Sequence, residues 1–277
     1  MSNASDRYAI IGHPVEHSLS PGIHAAFARQ TGQRLEYARI DAPLRGFTAA
    51  LRGFLAGGGK GLSVTLPFKE QAFKLCHELT PRAKKARAIN TIVVKDDANL
   101  LGDNTDGAGL VRDLCDNLGV VITNRRMLII GAGGATRGIL APLLGLEPTA
   151  VVIANRTPER AAALAAAFTD LGVTQGVGFE DIVPEPFDVI VNATSASLSG
   201  DIPPIPAAAI GPDSVCYDLA YGRAASAFVQ WATRLGCARA EQGLGMLVEQ
   251  AAESFRLWRG VRPATPQVLA ALRERAG

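Results

Sequence analysis

Short apolar runs alternate along this chain with longer stretches in which apolar side chains recur every three or four positions. The first spacing is that of strands buried in a sheet and the second that of helices with one buried face. Their alternation predicts an α/β protein with mostly parallel sheets. In the first part, strands are expected at residues 8–11, 35–40, 62–66 and 91–94, with helices between them. Ser20 reads as the N-cap of a helix that opens at Pro21 and turns Ile23, Ala26 and Phe27 inward.

A second series starts near Gly107 with a linking helix that runs through Leu118. Strands follow at 127–130, 150–154, 188–192 and 215–218, and helix patterns at 158–168 and 225–235 separate them, giving the repeated βα units of a dinucleotide-binding fold. The reading therefore divides the chain into a domain at 1–106 and a Rossmann-type domain at 107–245, with a cleft between them. Helix patterns at 247–258 and 266–275 are not needed to complete the second sheet, and residues 246–277 are expected to pack back on the first domain.

At 277 residues the chain exceeds the usual ~100 to 200 of one domain, in keeping with that division. Hydrophobic residues make up 48% and charged residues 19%, enough apolar material for sizeable cores and too little charge for a disordered chain. The net charge of +2 comes from scattered residues that form no basic stripe, so nucleic acid is not an expected partner. Cys76, Cys115, Cys216 and Cys237 lack zinc or CxxC spacing, and His13, His17, His24 and His77 have no metal-ligand spacing. Reduced thiols and no metal site are expected. With no leader-like segment and no apolar run near the ~20 residues that span a bilayer, the reading is a cytoplasmic enzyme, monomeric or homodimeric, with no membrane partner.

Gly131-Ala132-Gly133-Gly134-Ala135 directly follows an apolar strand and opens a helix, so its backbone can approach a pyrophosphate at the helix N-terminus. At the end of the next strand an NAD-binding fold usually offers a carboxylate to the ribose hydroxyls. Here the chain offers Asn155, Arg156 and Thr157, with Arg160 behind them. A guanidinium can pair with a 2′-phosphate that a carboxylate would repel, which favours NADP. Taken alone, Arg156 also fits a solvated loop arginine.

Polar clusters mark the first half: Ser18-Leu19-Ser20-Pro21, Ser63-Val64-Thr65-Leu66-Pro67-Phe68-Lys69, Asn90-Thr91, and Gly102-Asp103-Asn104-Thr105-Asp106-Gly107. Each falls at an expected strand end or helix start. Hydroxyls, an amide and a carboxylate gathered there suit a small polyhydroxylated ligand, whose every buried hydroxyl needs a partner. Lys69 alone fits a solvated lysine, and Asp106 alone fits an N-cap.

Together with Asn192-Ala193-Thr194-Ser195 and the segment from Gly243 to Gln250, these motifs, in this order over nearly the whole chain, resemble the shikimate dehydrogenase family. The resemblance implies reversible NADPH-dependent reduction of 3-dehydroshikimate to shikimate, in the pathway to chorismate and the aromatic amino acids. It implies that Ser18, Ser20, Thr65, Asn90, Asp106 and Gln250 contact shikimate with Tyr221 close by, and that Lys69 and Asp106 form the catalytic pair. It also implies that Asn155, Arg156, Thr157 and Arg160 hold the adenosine phosphate, and that Leu219 and Gly243 lie near the nicotinamide. The chain departs from the family at Ser63, where Asn is frequent. A quinate/shikimate dehydrogenase of broader substrate and cofactor use, and a non-catalytic NADPH-binding sensor, are the alternatives. Such a sensor would not need to retain Lys69 and Asp106, and both are present.

Overall fold

The computed structural model describes residues 5–96, 98–194 and 196–276. It divides into two compact units, one formed by the residues up to Gly109 together with Leu247–Glu274, the other by Leu110–Met246 and the extreme C-terminus. Ser195, the last residue of the Asn192-Ala193-Thr194-Ser195 segment, lies outside the described residues.

The first unit begins with β1 (Asp6–Gly12), α1 (Ser20–Thr31), β2 (Leu35–Asp41), α2 (Phe47–Ala56) and β3 (Gly59–Val64). It continues with α3 (Lys69–Phe73), β4 (Glu78–Leu79), α4 (Pro81–Ala86), β5 (Thr91–Val94), β6 (Leu100–Asp103) and the start of α5 (Asp106–Arg112). Its six strands lie in the order β2-β1-β3-β5-β6-β4. This sheet is mixed: β5 runs antiparallel to both β3 and β6, and the other three pairings are parallel. A short turn from Lys95 to Asn99 joins β5 to β6, and a connection that short can only reverse the chain.

Alternation along the strands gives the sheet two different faces. Ala9, Ile11, Leu62, Val64 and Ile92 pack with Phe47, Leu51 and Phe54 of α2 in one apolar core. The pairing register sets Tyr37, Tyr8, Ile10, Ser63 and Thr91 on the opposite face. There the partners come from α1 and from α10 (Leu244–Arg259): Trp258 stacks on Tyr8, and Ser254 bonds Thr91. The sequence reading of α1 needs two corrections. Leu19, not Ser20, is the N-cap, with no side-chain capping bond, and Ser20 is the first residue of the helix. Ile23 and Phe27 point into the core with His24 and Ala28, whereas Ala26 is half-buried.

In the second unit α5 continues as a π-helical turn, Asp113–Asn117. It is followed by β7 (Arg126–Ile130), α6 (Gly134–Leu144), β8 (Ala150–Ala154), α7 (Pro158–Ala166), β9 (Thr174–Val177) and β10 (Val189–Asn192). Then come α8 (Ala196–Ser199), β11 (Val215–Asp218), α9 (Ser226–Arg234) and β12 (Arg239–Gln242). The last helix, α11 (Pro266–Ala276), lies mostly in the first unit. All five pairings in the order β12-β11-β10-β7-β8-β9 are parallel. The central strands β7, β8 and β10 are buried from end to end apart from their first residues in β7 and β8, as helices on both faces require. This order places a topological switch point between β7 and β10, the usual place for a dinucleotide.

Candidate active site

In the first unit, helix starts and strand ends converge on one buried polar cluster. Lys69 opens α3 and Asp106 opens α5, and the lysine Nζ donates to Asp106 Oδ2 at 2.5 Å. Both side chains are largely withdrawn from water, 13% and 6% exposed, so the pair attracts more strongly than it would on the surface. The other carboxylate oxygen is held by Asn90 Nδ2 at 2.8 Å. Asn90 Nδ2 also reaches Thr105 Oγ1 at 2.8 Å and Gln250 Oε1 at 3.2 Å. An amide nitrogen has only two hydrogens to donate, so the long bond to Gln250 is the one most readily given up to a ligand hydroxyl.

Behind this pair the backbone is pinned. Asn90 Oδ1 accepts from the Thr105 N–H at 2.8 Å and from the Thr91 hydroxyl at 2.9 Å, and the Ser254 hydroxyl bonds both threonines. Asp103, almost fully buried, is gripped through both oxygens by Arg82 at 2.7 and 2.6 Å, and it accepts from the Asn104 N–H. Asn104 Oδ1 in turn accepts the Asp106 N–H at 3.1 Å, which fixes the first turn of α5. A carboxylate held on both oxygens in this way is pre-set before any ligand arrives.

The structure thus brings Lys69, Asn90, Asp106 and Gln250 into direct contact. Thr65 lies one residue beyond the end of β3, not inside the strand, with its N–H on Ile11 O and its carbonyl accepting from Phe68. Ser18, on the β1–α1 loop, and Ser20, the first residue of α1, are both buried, and Ser20 N–H donates to Ser18 Oγ. Three residues on one face of β2 support that region, and the sequence reading passed over all of them. Tyr37 donates to Ser63 Oγ at 2.7 Å, Arg39 donates twice to Ser18 O at 3.1 and 2.6 Å, and Asp41 pairs with His13. Their spacing of i, i+2 and i+4 marks one strand face, and polar residues repeating there were the available signal.

The second unit holds the glycine loop. Gly131 follows β7 with φ of 106°, and a Cβ there would stand 3.1 Å from Ala193 O, so both backbone shape and space call for glycine. Gly133 is the N-cap of α6, Gly134 begins the helix, and Thr136 Oγ1 returns a bond to Gly131 O. Ala132 is buried and Ala135 half-buried on this loop. At the end of β8, Asn155 Nδ2 donates to Thr157 O, Thr157 caps α7, and Arg156 and Arg160 are exposed. This set fits a 2′-phosphorylated dinucleotide: N–H groups at a helix start, backbone free of Cβ bulk, and guanidiniums with no carboxylate in the β8 turn. Leu219 N–H donates to Asn192 O after β11, and a Cβ on Gly243 would strike Leu219 O at 2.4 Å, so the two backbones touch. Tyr221 belongs to this second unit, just after β11.

Three family models match the chain. "Shikimate dehydrogenase substrate binding domain" covers residues 10–92, "Shikimate / quinate 5-dehydrogenase" residues 114–199 and "Shikimate 5'-dehydrogenase C-terminal domain" residues 243–273. The chain is 55% identical to the shikimate dehydrogenase (NADP(+)) of Alkalilimnicola ehrlichii, over 97% of this chain and 99% of the relative. Among solved structures it resembles an Ael1 enzyme from Pseudomonas putida, with a TM-score of 0.89 and 45% identity over 97% and 98% of the two chains. It also resembles the shikimate 5-dehydrogenase of Thermus thermophilus in complex with NADP(H) and shikimate, with a TM-score of 0.83 and 32% identity over 97% and 99%.

Proposed function

The chain belongs to the shikimate dehydrogenase family, and from that premise we propose that it interconverts 3-dehydroshikimate and shikimate with NADP, using Lys69 and Asp106 to handle the proton. The observation that carries the assignment of residues is the buried Lys69–Asp106 pair, tied through Asn90 to Gln250. When bound, NADPH supplies the hydride that the ketone carbon takes up, and NADP⁺ accepts it in the reverse direction. The protein must supply orientation and a proton at the oxygen.

Lys69, as ammonium, hydrogen-bonds the 3-keto oxygen and passes a proton to it as the carbon is reduced. The neutral amine that remains is reprotonated from water. In the oxidation of shikimate, the amine takes the hydroxyl proton. Asp106 accepts a hydrogen bond from Lys69 Nζ throughout, holding the donor in place and offering its carboxylate to a neighbouring substrate hydroxyl. Negative charge growing on the substrate oxygen is met by the lysine cation in a site largely shielded from water, where the attraction is strongest. Asn90 and Gln250 serve the ring hydroxyls, Ser18, Ser20 and Thr65 complete the substrate contacts, and Tyr221 is assigned to the same ligand. The glycine loop receives the pyrophosphate, Asn155, Arg156, Thr157 and Arg160 the adenosine phosphate, and Leu219 and Gly243 the nicotinamide end.

The direct test is formation of the reduced cofactor, NADPH or NADH, with shikimate and with quinate, each offered with NADP and with NAD. Shikimate with NADP should give the highest kcat/KM. Comparable turnover of quinate with NAD would instead assign the broader quinate/shikimate activity, and no turnover of shikimate would overturn the reading.

A further inference from the structure

The face of β2 that supports the serine loop contains a side chain with no role in the chemistry above. Tyr37 directs its O–H onto Ser63 Oγ at 2.7 Å, and Ser20 is its neighbour on the same polar face. Ser63 is 7% exposed, two residues before Thr65 on the same side of β3, and it pairs across the sheet with Thr91 of the Asn90 cluster. Among the described residues Tyr37 is the one side chain that bonds the Ser63 hydroxyl. With its lone pair engaged by the phenol, Ser63 keeps its own hydrogen to donate elsewhere.

The phenol is held rigidly enough to fix that direction. His24 lies flat on the Tyr37 ring, with centroids 4.3 Å apart and planes 8° from parallel, and Trp258 closes on the same imidazole at 5.2 Å. His24 is 1% exposed and neither ring nitrogen has a hydrogen-bond partner, so it competes with Ser63 for nothing and serves as a flat wall. Burial pushes the Tyr37 phenol above its ordinary range, opposed by the Ser63 and Ser20 hydroxyls, and this keeps its proton in place as a donor.

We propose that Tyr37 is a positioning residue for substrate recognition: by donating to Ser63 Oγ it turns the Ser63 hydroxyl into a fixed donor aimed at an acceptor oxygen of the acidic, polyhydroxylated substrate. The assignment rests on the functional reading given above. Tyr37 touches neither the reacting atoms nor the cofactor; it acts through Ser63. Losing the phenol hydroxyl frees the serine to rotate, so the effect falls on substrate affinity and not on proton or hydride transfer.

Tyr37→Phe keeps the ring and its stack on His24 and removes only the hydroxyl. Steady-state kinetics should show KM for shikimate raised roughly 3- to 10-fold, the range of one neutral hydrogen bond, with kcat within about twofold and KM for NADP unchanged. Ser63→Ala should give a similar rise, and the double variant should be no worse than the poorer single, because both remove one shared interaction. Thermal melts of each variant confirm that they are folded. Unchanged KM in folded Tyr37→Phe, a matching fall in kcat, or additive losses in the double variant would overturn the assignment alone. Failure of the unaltered enzyme to oxidise shikimate would overturn the functional reading, and this assignment with it.

Discussion

Arg156 stands exposed at the end of β8, in a turn that carries no carboxylate, and the proposed function rests the choice between the two nicotinamide dinucleotides on that guanidinium. A charge-assisted bond to a 2′-phosphate is worth about 1.5 to 3 kcal/mol. Arg156→Ala should therefore weaken NADP by that amount in equilibrium titrations and leave NAD nearly unaffected; equal losses for both would make the arginine structural. At this scale the candidates legible in the sequence are those in compact motifs, Lys69, Asn90, Asp106 and the glycine loop, and the structure joins the first three by hydrogen bonds. The sequence did not disclose Tyr37 and Arg39, which lie in a strand whose polar positions read as solvent-facing. Nor did it disclose Arg82, whose grip on Asp103 joins positions far apart along the chain. Contacts of that kind depend on strand register and helix placement, which no local pattern encodes.

Among the elements, the strands found from the sequence are those with apolar runs or clear alternation; of the four it missed, β6 is a short internal strand and the other three share a position. β4, β9 and β12 lie at sheet ends, where one side of the strand has no neighbour and polar or small residues suffice, as Thr174–Val177 and Arg239–Gln242 show. The antiparallel course of β5 was hidden for another reason: it follows from a connection length and not from the strand's composition. The packing of α1 onto β2 carries a pH signature. Burial among aromatic rings lowers the His24 pKa from 6.5 to about 3, so the folded protein keeps it neutral while the unfolded chain protonates it. The stability that His24 contributes is complete above pH 6.5 and is lost as the pH falls from 6.5 toward 3, by about 2 kcal/mol at pH 5. His24→Phe, which cannot titrate, should lose about that much less between pH 7.5 and pH 5 in urea unfolding. Equal losses in the two proteins would show that His24 gains its proton without cost in the folded state.

At the scale of the whole molecule, the two units are built differently. Leu110–Met246 forms all of the second but its share of the extreme C-terminus, whereas the first draws on both halves of the chain and takes Gln250 and Ser254 from α10 into the cluster around Asn90. The division of labour was legible because the motifs for substrate and for dinucleotide fall in separate stretches of sequence. No stretch by itself, though, shows that Gln250 meets Asn90 across 160 positions. In the proposed mechanism Lys69 moves the proton while Asp106 and Asn90 hold the lysine in place. The most direct measurement compares Lys69→Ala with the unaltered enzyme in the NADP-dependent oxidation of shikimate, with folding checked by circular dichroism and NADP affinity by titration. The account predicts that kcat falls roughly 10²- to 10⁴-fold while the affinity for NADP is unchanged and KM for shikimate moves far less than kcat. A correctly folded Lys69→Ala enzyme with near-normal kcat would contradict it.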